Sequence, residues 1–495
     1  MKKKLIFAAA AIAMLASCSQ NDLEAPVVAQ SQQGDAIEFG TYTGQSAKTR
    51  TVASGTNGAI VTNENLQSKG FGVFAYYTGT KTYDATQYWD GTSAVADANK
   101  IAPNFMWNQS VTWNSTATAW EYTPLKYWPN ESSNSSTNVD GSNAGTDYTH
   151  GGNVSFFAYA PYVTKTAAEG ANEGIVGISA NSAKGDPIIT YTVPTTSNSV
   201  VDLLWGTVGE SSGYTTGETI LGSGNTGVAH DGSANAASYP YAILSNGATG
   251  YTLNADLTKQ KISGKVGFAF KHALAKVGGH EGLKIMTDVD AVGGGTLAQT
   301  VDGSGNVTDG TKVTVKSITI QAKSKTSDGS AYYHEQKGEF NLATGKWNIT
   351  GTTGEAAVTT YTISGSKLNT AIAENGTTWD SQPRGVYETQ QNVYASAAEE
   401  TDPIIFIPGT KPELIVTINY MVRTKDTGLA NGYTDVEQNI TKTITFNDVV
   451  ALNKYYTLVI HLGLTSVKFT AEVSNWADGG SDTNGSKVDL PINVN

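Results

Sequence analysis

The chain has 495 residues, room for two to four domains of roughly 100–200 residues, with two as the working number. Its formal charge is −12, and only 15% of its residues are charged, well under the usual figure of about 25%. Such a balance argues against nucleic acid as a partner, and a single cysteine rules out internal disulfides and thiolate metal clusters.

Lys2, Lys3 and Lys4 precede the apolar run from Leu5 to Ala16, followed at once by Ser17 and Cys18. That order marks residues 1–17 as a signal peptide. The run is shorter than the ~20 apolar residues that span a bilayer, and no later run approaches that length. Leu15-Ala16-Ser17-Cys18 resembles the bacterial lipobox, so Cys18 is the expected lipidation site, its thiol taking a diacylglycerol before cleavage makes it the new N-terminus. Several acyl chains hold a protein on a membrane where one barely does. Removal of the three lysines makes the mature chain more acidic still. Residues 18–35 are polar with few bulky groups and read as a tether from the lipid.

Period-2 alternation is the dominant pattern after the tether, and it predicts an all-β protein of sandwich-core strands. Phe71, Val73 and Ala75 form the first such set. Trp107, Trp113, Trp120 and Trp128 then fall close together with Tyr122 and Tyr127. Flat aromatic faces stack on sugars, which points to glycan binding, while core or strand-edge packing is the competing reading. Asn130 to Asp147 reads as a surface loop. Val154 to Tyr159 is apolar on both faces, as a strand covered on both sides must be. Between the strand-like Val201 to Trp205 and Val266 to Phe270 lies a stretch rich in Gly, Ser, Thr and Asn. The domain boundary is placed there, near 248, dividing 36–248 from 249–495.

Helix is expected as a minor component, with Ser366 to Asn375 as its best candidate: Ser366 is placed to cap it, Leu368 and Ile372 share a face, and Gly376 follows. Leu414, Val416, Ile418, Tyr420 and Val422 alternate again, as do Val467, Phe469, Ala471 and Val473. In the last residues Val488, Leu490, Ile492 and Val494 alternate, and Pro491 suits an edge or donated strand better than a central one.

Motifs that spell enzymes fail on context. Gly209 to Gly213 matches the nucleophile elbow, but Tyr214 to Gly227 is too rich in Gly and Thr for the helix that chemistry needs. Gly222 to Gly227 matches the dinucleotide fingerprint without a following amphipathic helix. Asp302 to Asn306 begins like a calcium loop but has Val307 and Val313 where that loop needs Gly and Glu, and so reads as a hairpin turn. The histidines, His150, His230, His272, His280, His334 and His461, show no metal-ligand spacing. Glu399–Glu400 and Asp288/Asp290 are read as solvated turns without a catalytic role. No enzymatic activity and no cofactor are expected.

Several segments together resemble the fimbrillin family of Bacteroidetes, whose members include the major and minor subunits of type V pili. The blocks are the lipobox at Cys18, Ala36-Ile37-Glu38-Phe39 followed by Lys48-Thr49-Arg50, Phe71 to Tyr76, Tyr127-Trp128-Pro129, Val154 to Pro161 and Asp202 to Trp205. They continue with Phe270 to Val277, Asn453 to Tyr456, Leu462 to Phe469 and Val473 to Trp476. The resemblance implies two transthyretin-like β-sandwich domains, transit as a lipoprotein and display at the outer membrane surface in a fimbrium. It implies cleavage between Arg50 and Thr51, which removes the strand containing Ile37 and Phe39, and assembly with other fimbrial subunits by strand exchange. Val488, Leu490, Ile492 and Val494 would be the donated side chains, although the segment is short enough to be this domain's own last strand. A surface receptor or glycan is the further expected partner, and a surface glycan-binding lipoprotein is the alternative function.

Overall fold

The computed structural model describes residues 36–42, 63–79, 83, 101–129, 153–194, 201–207, 265–287, 289–290, 294–295, 297–325, 332–333, 337–350, 359–400, 404–464, 466–475, 488–489 and 492–494. Among these the chain is all-β. The strands of the first half are β1 (Glu38–Tyr42), β2 (Phe71–Gly79), β3 (Met106–Asn114), β4 (Ala119–Glu121), β5 (Asn153–Ala160), β6 (Gly174–Ile178), β7 (Ile188–Thr192) and β8 (Leu204–Thr207). There follow β9 (Lys265–His272), β10 (Ala275–Val277), β11 (Leu283–Thr287), β12 (Val289–Asp290), β13 (Gly294–Gly295), β14 (Thr300–Val301), β15 (Val307–Asp309), β16 (Thr311–Lys325), β17 (Tyr332–Tyr333), β18 (Lys337–Asn341) and β19 (Lys346–Ile349). The last are β20 (Thr359–Ser364), β21 (Gln391–Asn392), β22 (Ile404–Phe406), β23 (Lys411–Lys425), β24 (Tyr433–Phe446), β25 (Lys454–Leu462), β26 (Val467–Asn475), β27 (Val488–Asp489) and β28 (Ile492–Val494). Two short helices accompany them, α1 (Asn63–Lys69) and α2 (Lys165–Glu169), the second capped by the Thr164 hydroxyl, which accepts from the Ala167 amide. No described helix is long and apolar enough to cross a membrane.

The first sheet runs β1-β9-β8-β5-β2-β3-β4. Its central strands carry apolar side chains on both faces because both are covered. On one face Phe71, Val73, Ala75, Phe156 and Phe268 gather around Ile37 and Phe39. On the other, Phe74, Tyr76, Phe157 and Tyr159 meet the four-stranded sheet β19-β18-β7-β6. That small sheet is itself shared, since β7 pairs with β18 from Lys337↔Thr192 to Asn341↔Ile188. The expected boundary near 248 lies outside the described residues. On its far side β9 still completes the first sheet, pairing with β8 and β1.

A second sandwich closes the C-terminal half. One layer is β21-β11-β25-β10-β22 with β26 on the other edge of β25, and the other is built on the long strands β16, β23 and β24. Leu414, Val416, Ile418 and Tyr420 point inward from β23 and meet Leu458, Ile460, Val467 and Phe469, as their alternation requires. The Asp302 to Asn306 segment is a hairpin turn. Its Asp302 carboxylate accepts from the Ser304 and Asn306 amides, each at 2.9 Å, and Gly305 has the positive φ of 86° that glycine tolerates best.

The helix expected over Ser366–Asn375 is not formed. Only Gly365–Lys367 makes a 3₁₀ turn. The Asn369 side chain then takes the Ala371 amide, and β16 claims the rest: the Val315 amide donates to the Ile372 carbonyl and Glu374 donates to Val315, at the point where a bulge breaks the β16–β23 register. Leu368 and Ile372 are buried as their shared apolar character demanded, but as an irregular strap rather than a helix.

Candidate strand-exchange site

β1 is a single strand inserted between two parts of the same sheet. On one side it pairs in parallel with β9, from Glu38↔Lys265 to Tyr42↔Ala269. On the other it meets the segment after β4: the Ile37 amide donates to the Lys126 carbonyl at 2.9 Å, Ala36 bridges Tyr127, and the Trp120 indole N–H donates to Thr41 Oγ1 at 2.9 Å. The first sheet therefore curls until its two ends nearly meet, and β1 fills the seam. Ile37 is 1% and Phe39 2% exposed. The Phe39 ring lies 5.2 Å from Tyr122, 5.8 Å from Phe268, 6.1 Å from Phe156 and 6.2 Å from Phe71, the separations of interacting aromatic pairs.

Tyr122 pins the seam. Its hydroxyl donates to the Ile37 carbonyl at 2.9 Å. Burial raises its pKa above the ordinary tyrosine value, against the opposing pull of the hydrogen bond to Lys126, so the hydroxyl keeps the proton it donates. Sequence reading placed Tyr122 among aromatics available for sugar stacking and did not assign it this role. Of the four tryptophans, Trp128 is buried in the same core, Trp120 packs against it, and Trp107 packs on the opposite face with its indole donating to the Ser179 carbonyl. Trp113 stands edge-on to Trp120, with centroids 5.3 Å apart. These rings pack into core and strand edges rather than forming one flat platform.

At the other end of the chain β27 and β28 lie on two different sheets. Val488 and Asp489 pair with Val473 and Glu472 of β26, and Ile492 to Val494 pair with Phe446 to Ile444 of β24. This terminal segment bridges both layers of the C-terminal sandwich, and the structure does not bring it together with β1. Cys18, Arg50, Thr51 and Leu490 lie outside the described residues, as do the Gly209–Gly213 and Gly222–Gly227 motifs and the histidines at 150, 230 and 334. His272 Nδ1 lies 2.7 Å from Asp202 and His461 Nε2 3.1 Å from Thr470. No group of three metal-ligating side chains occurs among the described residues. Glu400 is not in a solvated turn: it is a largely buried carboxylate 2.5 Å from the Lys276 ammonium, and it accepts the His280 amide at 2.8 Å.

No family model matches the sequence. The chain is 23% identical over 504 residues to the fimbrium subunit Fim1C of Phocaeicola vulgatus, an alignment covering 98% of this chain and 99% of that one. By sequence the chain is similar to a fimbrial subunit along nearly its whole length. A crystal structure of a fimbrial protein from Bacteroides vulgatus aligns over 89% of this chain and 99% of its own, with 19% identity and a TM-score of 0.49.

Proposed function

We propose that this protein is a fimbrial subunit, without enzymatic activity, exported as a lipoprotein anchored at Cys18 and assembled by strand exchange after cleavage between Arg50 and Thr51. Its partners are then other fimbrial subunits, the outer membrane through the lipid, and a surface receptor or glycan met by the fibre. The observation that carries the reading is the position of β1. It is terminal in sequence, is followed by Arg50, pairs with one strand along its length, and fills a seam whose far wall is irregular chain. Excision of residues up to 50 would remove β1 and open a trough lined by Phe71, Tyr122, Phe156 and Phe268. An extended apolar strand from another subunit fills such a trough by main-chain pairing plus alternate side chains. Ile37 and Phe39 set the scale of what must be replaced, about 1.5–3 kcal/mol of burial for each side chain.

A mature start at Thr51 in a high-mass, detergent-resistant ladder, read by N-terminal sequencing and intact mass of protein from producing cells, is the expected result. A single lipidated species starting at Cys18, with β1 retained in all of it, would overturn assembly by this route.

A further inference from the structure

The turn between β10 and β11 carries a closed ring of polar contacts that the fimbrial reading does not use. Gly279, at φ +89°, begins the turn, and the Gly282 and Leu283 amides both return to the Gly279 carbonyl. His280 and Glu281 are thereby held at the tip, one strand-step before Lys284 on β11. Lys284 stands directly opposite Asn392 in the antiparallel pairing of β11 with β21. Asn392 is fixed in turn, because its carbonyl accepts from the Asn369 side chain at 3.0 Å and the following Val393 amide donates to Leu283.

Four side chains then meet in order. Lys284 Nζ is in direct contact with Asn392 Oδ1. Asn392 Nδ2 faces His280 Nε2 at 3.3 Å. His280 Nδ1 lies 2.8 Å from Glu281 Oε1, and Glu281 Oε2 lies 3.4 Å from Lys284 Nζ, which closes the ring. The side chains of His280, Glu281 and Lys284 are 16%, 24% and 17% exposed, so the group is sheltered but not sealed. The amine sits beside a carboxamide carbonyl, with a carboxylate at the amine and an imidazole at the nitrogen that would depart. An amine, a carboxamide, a carboxylate and an imidazole are the group types that acyl transfer uses as nucleophile, electrophile, base and general acid.

We propose that Lys284 and Asn392 become joined by an autocatalytic isopeptide bond, with Glu281 and His280 as the proton-transfer pair. The Nζ lone pair forms a bond to Asn392 Cγ as the carbonyl π pair moves onto Oδ1. Glu281 Oε2 accepts the protons that Nζ sheds. The carbonyl re-forms, the Cγ–Nδ2 bond breaks with its electron pair going to nitrogen, and His280 Nε2 supplies protons to it. Of the three ammonium protons of Lys284, one remains on the new amide and two leave on the former carboxamide nitrogen as ammonium. Atoms and charge balance with no oxidant, reductant or other co-reactant. His280 and Glu281, whose side chains are 16% and 24% exposed, return to their starting protonation states by exchange with water. The product ties the short edge strand β21 to β11 through a covalent bond across 108 positions of sequence, fastening the C-terminal sandwich where its sheet ends.

Intact mass and peptide mapping of the full chain carrying Cys18→Ser, taken under denaturing conditions, test this directly. The expected result is a mass short by one ammonia and a branched peptide that contains both Lys284 and Asn392. Lys284→Ala and Asn392→Ala each restore the full mass of their own sequences. His280→Ala with a native circular dichroism spectrum retains the ammonia in a measurable fraction of molecules. Full sequence mass in the folded unsubstituted chain overturns the proposal. So does an ammonia loss that persists in Lys284→Ala, since that places it in cyclisation of an asparagine without the lysine.

Discussion

The two terminal strands are held in opposite ways. β1 pairs along its full length with β9, is bonded on its other side to the segment around Lys126, and drives Ile37 and Phe39 into an aromatic core. The C-terminal segment is split, with two residues on β26 and three on β24. A strand seated on both sides and anchored by buried rings does not leave by fluctuation, whereas a segment resting on two separate edges by a few rungs opens locally at small cost. On the strand-exchange reading that asymmetry assigns the roles: the N-terminal strand must be cut to vacate its place, and the C-terminal one can peel away uncut and be donated.

The largest effect expected from breaking this comparison is on assembly. Deleting Val488 to Asn495 should abolish the detergent-resistant ladder while leaving the monomer folded, with its melting transition nearly in place. A truncated chain that still polymerises would remove the C-terminal strand from the mechanism. Next in size is Phe39→Ala, which should cost the uncleaved protein about 3–5 kcal/mol by large-to-small truncation in a packed core. The same substitution should leave the stability of protein cleaved after Arg50 unchanged, because the residue has departed. Equal loss in both forms, measured by denaturant unfolding, would mean that β1 stays bound after cleavage.

Tyr122→Phe sharpens the same point at smaller scale. It removes the hydroxyl that donates to the Ile37 carbonyl and keeps the ring against Phe39. The expected loss is about 1 kcal/mol, together with faster hydrogen exchange of the Ile37 amide, whose partner is the Lys126 carbonyl. Unchanged exchange there would show that the aromatic packing alone holds the strand.

Much of this architecture was legible where alternation and burial coincide. The apolar-on-both-faces reading of Val154 to Tyr159 follows from a core on each side of β5, and the alternation of Leu414 to Val422 follows from one buried face of β23. The seam was not legible, because the parallel pairing of Glu38 with Lys265 joins residues far apart in sequence and leaves no periodic trace. Ile37 and Phe39 were singled out through a family resemblance rather than from their own pattern. The strap at Ser366–Asn375 was misread because helix propensity and an apolar face say nothing of a bulged neighbour whose amide and carbonyl need partners. Glu400 was misread for a related reason: a carboxylate is stable in a largely buried position only beside its cation, and Lys276 comes from a distant strand.

The smallest expected effect lies away from both termini and tests whether the C-terminal sandwich is indifferent to acid at the turn between β10 and β11. The His280 contact beside Glu281, helped by the Lys284 ammonium, holds the Glu281 pKa down from 4.5 to about 2, against the opposing pull of burial. A carboxylate with a depressed folded-state pKa contributes stability that is fully present above its unfolded value and is lost as pH falls through its folded one. The contribution should therefore be complete above about pH 4.5 and fade toward about pH 2. Partial exposure of the group screens it and keeps it modest. In an Asn392→Ala background, where no covalent tie adds to stability, Glu281→Gln should flatten the fall in unfolding free energy across that window and leave the slope above it unchanged. If the slope between pH 4.5 and 2 is the same with and without the carboxylate, acid sensitivity belongs to other groups, and the turn at His280 and Glu281 does not set the acid limit of this end of the molecule.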